Sequence, residues 1–243
     1  MKISVSDIKQ YDFCPRAIYL RQVLDLKPTH TDEMFKGLIG HAIRKELSLR
    51  QTKLLRRIED ASEIKPSLED ELGYVIKECP AIYRAMLREI SSDSYRDYVS
   101  VIRSEILVEI SIISEKLRVM VEEGGLENTL RKVTPWRVEY PVESADLMLS
   151  GRIDKVMVND HYLPVEIKTG SVPGDVWNGD RLQICAYVML LEERLGLQEP
   201  IPYGLVEYTR VQEKRPIMAS ESLRRRVLNT RDDIIRILDG NIP

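Results

Sequence analysis

Gly151-Arg152-Ile153-Asp154-Lys155-Val156, followed at hairpin distance by Val165-Glu166-Ile167-Lys168-Thr169-Gly170, is the most informative stretch of the chain. Residues Leu147 to Val158 and Tyr162 to Lys168 are rich in β-branched side chains and are separated by the turn-forming Asn159-Asp160-His161, so they read as paired strands. Alternation along a strand puts Glu166 and Lys168 on one face. Asp154 joins them there only if it lies opposite Glu166. That register sets Val158 against Tyr162 and leaves a three-residue loop, whereas a two-residue Asn-Asp loop sends the carboxylates to opposite faces. Two carboxylates at a sheet rim raise each other's pKa unless a cation lies between them. Hard oxygen ligands suit Mg²⁺ or Mn²⁺, and a neighbouring lysine favours the ionised acids and orients a water toward phosphorus. A surface hairpin with a Glu–Lys pair carries the same tripeptide; the upstream Gly-x-x-Asp is what sets this one apart.

Trp136 to Val142 and Tyr203 to Thr209 also read as strands, and Gly179 to Leu195 and Ser220 to Leu238 as helices. Gln183 and Tyr187, four apart, share a helix face that also carries apolar residues, so a core tyrosine beside a glutamine is the alternative to a site role. The first half is helical in pattern. Ser6 is a candidate N-cap for a segment from Asp7, and Asp32 precedes a helix with Phe35, Leu38, Ile39, Ala42 and Ile43 at helical spacing. Pro66 and Pro80 punctuate the middle, and Ser94 to Glu123 forms one long helix closed by Gly124-Gly125. His41 stands on the shoulder of its apolar stripe. Gly37 and Gly40 beside it weaken a helix, which makes sense if a ligand or another backbone comes close; a merely packed or solvent-facing histidine is the alternative. The expected fold class is mixed α/β, a small mixed β-sheet flanked by helices. Residues 1–130 form a mainly helical part contributing His41 and 131–243 the core, as one integrated domain.

The 243 residues are 43% hydrophobic and 31% charged, enough apolar material for a core. Lys and Arg number 36 against 39 Asp and Glu, a net charge of −3 that excludes a globally basic nucleic-acid coat. No apolar run approaches the roughly 20 residues of a membrane span, and the start lacks a secretory h-region. The three cysteines (Cys14, Cys79, Cys185) are too few for a disulfide framework, which points to a reducing cytoplasm.

His41, the Gly-x-x-Asp ending at Asp154, Glu166-Ile167-Lys168 and Gln183-x-x-x-Tyr187 resemble, in order, the motifs of the PD-(D/E)XK nuclease superfamily in its RecB-like branch. Tyr11-Asp12-Phe13-Cys14-Pro15-Arg16 with Tyr19-Leu20 is similar to the N-terminal signature of the CRISPR-associated RecB-like exonucleases of spacer acquisition. The match runs from about residue 6 to 210. The resemblance implies a restriction-endonuclease-like core and a metal-dependent DNA exonuclease acting on single-stranded ends. His41, Asp154, Glu166 and the main-chain carbonyl of Ile167 would bind Mg²⁺ or Mn²⁺, Lys168 would be the catalytic lysine, and Gln183 and Tyr187 would support substrate and site. Asp154 and Glu166 count among the catalytic residues as well. The partners implied are DNA, other CRISPR adaptation proteins and a second copy of the chain, with no membrane. The alternatives are a non-catalytic DNA-binding or assembly subunit of a CRISPR adaptation complex, or a RecB-like nuclease of recombinational repair. Family members hold an iron–sulfur cluster through one cysteine of the Cys-Pro-Arg motif and three near the C-terminus. Cys14 matches the first, Asp239 to Pro243 contains no cysteine, and Cys79 and Cys185 lack ligand spacing, so no iron–sulfur cluster is expected in this chain.

A polyanion needs local positive charge. Arg44-Lys45, Lys53 with Arg56-Arg57, Lys214-Arg215 and Arg224-Arg225-Arg226 are the candidate patches, with solvated helix faces as the alternative. Trp177, in the loop from Ser171 to Gly179, and Tyr208 are candidates for stacking on bases.

Overall fold

The computed structural model describes residues 2–26, 31–84 and 86–243. A two-residue strand β1 (Ile3–Ser4) leads into α1 (Val5–Phe13), α2 (Pro15–Ile18) and a π-turn over Tyr19–Val23. Four helices follow: α3 (Asp32–Leu55), α4 (Ile64–Ile82), α5 (Ser92–Gly124) and α6 (Leu126–Val133). Then come β2 (Arg137–Ser144), β3 (Leu149–Val158), β4 (Tyr162–Lys168), α7 (Asn178–Leu195), β5 (Tyr203–Tyr208), β6 (Glu213–Met218) and α8 (Glu221–Leu238). The chain is a mixed α/β protein with a six-stranded sheet.

β3 is the long strand of that sheet. Along one edge it pairs antiparallel with β2, from Arg137 opposite Val156 to Ser144 opposite Leu149. The other edge is shared: β1 runs parallel to it at Leu149 and Ser150, and β4 antiparallel from Lys155 to Val158. Between those two partners, residues 151–154 face a gap. β4 and β5 are parallel, so the chain crosses over through α7, which packs on β2 to β6. β6 closes the far edge antiparallel to β5. This edge strand, Glu-Lys-Arg-Pro-Ile-Met, was not legible as a strand: its side chains are mostly charged and exposed, as suits an edge.

Among the described residues, besides a small cluster of Met157, Leu163 and Val165 on the sheet, there are two large hydrophobic cores. One joins α1, α2, the sheet, α7 and α8, and includes Ile3, Val5, Ile8 and Ile18. The other lies within α3 to α6, around Ile43, Leu55, Leu72, Val75 and Ile106. The N-terminal half therefore contributes to both: residues 3–19 pack with the sheet, and the helices from Asp32 onward form a separate lobe. Polar ties hold the lobe to the sheet. Lys45 pairs with Glu139 at 2.7 Å, Lys116 Nζ donates to the Gln212 carbonyl at 2.6 Å, and Arg210 reaches both Glu105 and the Thr169 carbonyl at 3.0 Å.

Three local expectations are corrected. The cap of α1 is Ser4, whose hydroxyl accepts the Asp7 N–H at 3.1 Å, and Ser6 lies inside the helix. Pro66 and Pro80 do not break the chain's helices but sit within α4. Pro66 falls in the first turn, where no N–H partner exists. Pro80 leaves the Ile76 carbonyl without its usual donor, and the Tyr95 hydroxyl supplies one at 3.3 Å.

Candidate active site

The β3–β4 turn holds Asn159-Asp160-His161, with Val158 opposite Tyr162. This is the register that sets Asp154 against Glu166. The ladder itself stops one step earlier, at Lys155 and Val165. Beyond it the strands part, and Asp154 Oδ2 accepts the Ile167 N–H at 2.8 Å in place of a backbone carbonyl. In a strand the N–H and C=O of one residue leave the same edge, so the Ile167 carbonyl also opens toward this gap.

Gly151, three residues before Asp154, is dictated by contact. A Cβ there would lie 2.8 Å from the Tyr187 ring and 3.0 Å from Val5. The glycine lets α7 settle on β3, which brings the polar face of α7 over β4. Gln183 then bridges the pair: its Nε2 donates to Glu166 Oε1 at 2.9 Å and its Oε1 accepts from Lys168 at 3.0 Å. Lys168 Nζ also donates to Glu166 Oε1 at 2.9 Å. Tyr187 lies beneath, with its hydroxyl raised by burial and then by Glu166, and hydrogen-bonded with Gln183.

Asp180, in the first turn of α7, completes the cluster. Its Oδ1 takes Lys168 at 3.0 Å and Lys9 of α1 at 2.9 Å. Sequence reading missed both residues. Asp180 shares a helix face with Gln183 and Tyr187 at i+3 and i+7, a signal that was there to be read; Lys9 reaches the site only through tertiary packing. Glu139 was missed as well. It stands opposite Asp154 in the β2–β3 register, with φ 49°, a backbone region that non-glycine residues seldom adopt.

His41 enters from α3. It shares a cleft of about 320 Å³ with Glu166, Ile167, Lys168 and Asp180. Gly37, one turn before His41, faces open space; Gly40 accommodates the Arg44 guanidinium, which donates to the Gly40 carbonyl at 3.3 Å.

The electrostatics follow from burial and mutual proximity. Desolvation, then the charge of Glu166, raises the Asp154 carboxyl to about 7. Desolvation holds the His41 imidazole below its ordinary value against the pull of Glu166, so it is neutral near pH 7. Desolvation opposes the Lys168 ammonium, but Glu166 and Asp180 outweigh it and push its pKa up. Lys168 is a firmly held cation.

Imidazole, two carboxylates and a main-chain carbonyl form a donor set of the right chemistry for Mg²⁺ or Mn²⁺. A buried Asp154 whose carboxyl is raised by desolvation and by Glu166 marks a place where added positive charge is favourable. Among the described residues, however, no three His, Cys, Asp or Glu side chains converge closely enough to hold a metal ion as they stand. The Lys168 ammonium occupies Glu166, and Asp154 is turned to the Ile167 amide.

The other sequence candidates differ in setting, and Tyr208 and Trp177 both line the same cleft. Tyr208 is only 2% exposed, with Arg215 4.9 Å over its ring, and does not offer a face to bases. Trp177 is exposed at the rim of the cleft. Arg44 is buried in a bidentate pair with Glu109, and Arg224 is clasped by Glu192 at 2.6 Å, so neither is free to meet a phosphate. Arg215 donates to the Pro173 carbonyl at 2.7 Å and anchors the loop before α7. Lys53 and Arg57 line a separate groove on the helical lobe. Cys79 and Cys185 are buried in different cores, and burial raises both thiols, Cys185 to about 12, which disfavours thiolate ligation. No helix among the described residues is long and apolar enough to cross a membrane.

The model of one protein family, described as CRISPR-associated exonuclease Csa1, matches residues 1–242 of the chain. No curated protein matches it.

Proposed function

The chain belongs to the CRISPR-associated exonuclease Csa1 family, and from that premise we propose that it is a divalent-metal-dependent DNA exonuclease of PD-(D/E)XK type, acting on single-stranded ends during spacer acquisition. The observation that carries this reading is the alignment of Asp154 with Glu166 across the parted strands, with Lys168 and Gln183 on the same carboxylate.

His41, Asp154, Glu166 and the Ile167 carbonyl would hold Mg²⁺ or Mn²⁺. When bound, such a cation lowers the pKa of water and screens phosphate charge. The remaining work falls to the chain. Neutral His41 presents a lone pair to the cleft. Lys168, held between Glu166 and Asp180, donates hydrogen bonds to a phosphate oxygen and stabilises negative charge developing there. Gln183 fixes the spacing of Glu166 and Lys168, and Tyr187 supports Gln183. Gln183 and Lys168 are already hydrogen-bonded to Glu166, whereas cation binding would require Glu166 to share its oxygens with Lys168 and Asp154 to turn from the Ile167 amide.

End-labelled single-stranded DNA incubated with Mn²⁺, and separately with EDTA, tests the proposal. Wild-type protein is expected to release short products only with metal, and Lys168→Ala to release none while remaining folded, as a cooperative thermal melt would report. Metal-independent product, equal activity of Lys168→Ala, or no product from folded wild type would overturn it. The last result would favour a DNA-binding or assembly subunit of the adaptation complex.

A further inference from the structure

The first helix carries a lysine into the site for which the hydrolytic chemistry has no use. Gly179 stands where α1 crosses the start of α7: a Cβ there would lie 3.2 Å from the Lys9 carbonyl oxygen and 3.3 Å from Lys9 Cγ. The bare backbone lets the helices close, and Lys9 Nζ reaches Asp180 Oδ1. That oxygen already has Lys168, and Lys168 has Glu166 and Gln183 in addition. Asp180 therefore keeps a counter-ion if Lys9 departs. Lys9 is the surplus charge of the cluster, and its side chain is 41% exposed against 15% for Lys168.

Lys9 also stands where two clefts meet. One is the cleft of His41, Glu166 and Lys168. The other, of about 680 Å³, runs along α1 past Gln10 and Phe13, and Lys9, Trp177 and Asp180 line both. Two rings flank the second cleft: Phe13 is 86% exposed and Trp177 60%. Open aromatic rings beside a charged cleft mark a contact surface. The segment bearing Trp177 is tied on both sides, by Asn178 to Asp12 at 2.6 Å and by Arg181 to Asp175 at 2.7 Å, so its backbone is anchored beside the cleft.

Exposed rings lining one groove with a releasable ammonium match a chain of unpaired bases joined by phosphates. A duplex keeps its base faces stacked inside and offers the rings nothing. The geometry points to a lane for single-stranded DNA in which Phe13 and Trp177 stack on bases, Lys9 leaves Asp180 for an intervening phosphate, and the strand end is delivered to Glu166 and Lys168. Its destination rests on the nuclease reading; the lane itself is a statement about binding.

Fluorescence anisotropy of a labelled oligothymidylate with the full chain in EDTA tests it without cleavage. Phe13→Ala and Trp177→Ala are each expected to weaken single-strand binding by about tenfold and to leave the salt dependence unchanged. Lys9→Ala weakens binding and lowers the slope of log K against log salt by about 0.7, which Lys9→Arg restores. Binding of a blunt duplex is unaffected by the two aromatic substitutions. The lane is overturned if wild type does not bind the single strand, if the aromatic variants bind it like wild type at unchanged melting temperature, or if single strand and duplex weaken alike. Because no metal or product enters this measurement, its failure and the failure of the cleavage assay are separate results.

Discussion

Asp154 Oδ2 accepts the main-chain N–H of Ile167 at 2.8 Å, a side chain standing in for the backbone partner that β4 loses when it parts from β3. One bond does two things. It satisfies a donor that would otherwise be stranded at the end of a ladder, and it holds an acid in a desolvated place beside Glu166, where burial and the neighbouring charge raise its carboxyl to about 7.

The consequence for pH has a definite sign. The Asp154 carboxyl rises from an ordinary carboxylate value to about 7 on folding. Between pH ~4 and that value the folded protein keeps a proton that the unfolded chain has released, so stability falls as pH rises through this window and then levels off. Asp154→Asn keeps an acceptor for Ile167 without the charge. It is expected to raise the metal-free melting temperature at pH 8 by several degrees, about 1–2 kcal/mol, and to change it little at pH 4. Equal effects at both pH values in thermal melts would contradict the assignment.

Added Mn²⁺ should reverse the trend. Binding requires Asp154 to release its proton, so the metal is expected to raise the melting temperature more at pH 8 than at pH 6, and EDTA to abolish the increase. Asp154→Asn and His41→Ala should each blunt it. Calorimetric melts across that range, with and without metal, measure all of these effects.

Asp180 acts on Lys168 rather than on substrate. Asp180→Asn removes the charge shared by Lys168 and Lys9. The cleavage rate constant at saturating DNA is expected to fall by about 10- to 100-fold, while the released Lys9 holds or tightens DNA binding. Parallel loss of kcat and binding in steady-state kinetics would instead indicate a damaged fold.

Gly151→Ala places a methyl group against the Tyr187 ring and Val5. Neither neighbour is a mobile surface tip: Val5 is fully buried and Tyr187 nearly so. Overpacking of this kind costs about 1–3 kcal/mol and tilts α7 away from β3, so urea denaturation should report the loss and cleavage should fall with it.

On the opposite face of the sheet, Lys155 and Glu207 form a buried pair at 3.2 Å, with the half-exposed Lys214 3.7 Å from Glu207. Lys155→Met leaves Glu207 with only that distant partner and is expected to cost about 3 kcal/mol. Adding Glu207→Leu should recover most of it, as chemical denaturation of the double variant would reveal.

Much of this was legible in the linear order of residues. Turn chemistry at Asn159–His161 and the β-branched flanks specified both hairpin strands, and alternation then put Glu166 and Lys168 on one side. The helix carrying Gln183 and Tyr187 was equally plain from spacing. β6 was hidden because an edge strand with charged, exposed side chains lacks an apolar face. Arg44 and Arg224 were candidate nucleic-acid contacts because a basic cluster reads the same whether its partner is phosphate or a buried glutamate.

What the sequence alone determined is therefore local: the identity of most strands and helices, the shared face of Glu166 and Lys168, and the two registers open to Asp154, between which the three-residue turn of the folded chain decides. The fold alone decided which distant groups meet them. Lys9 and Asp180 are brought together because α1 closes on Gly179; Glu139 lies opposite Asp154 because β2 pairs along β3; His41 arrives on a separate helical lobe held by a few polar ties. The division has a simple cause. Backbone sterics and periodicity act over a few residues and leave their mark in the order of amino acids, whereas burial, shared counter-ions and shifted proton affinities arise only when segments far apart in the chain exclude water from the same space.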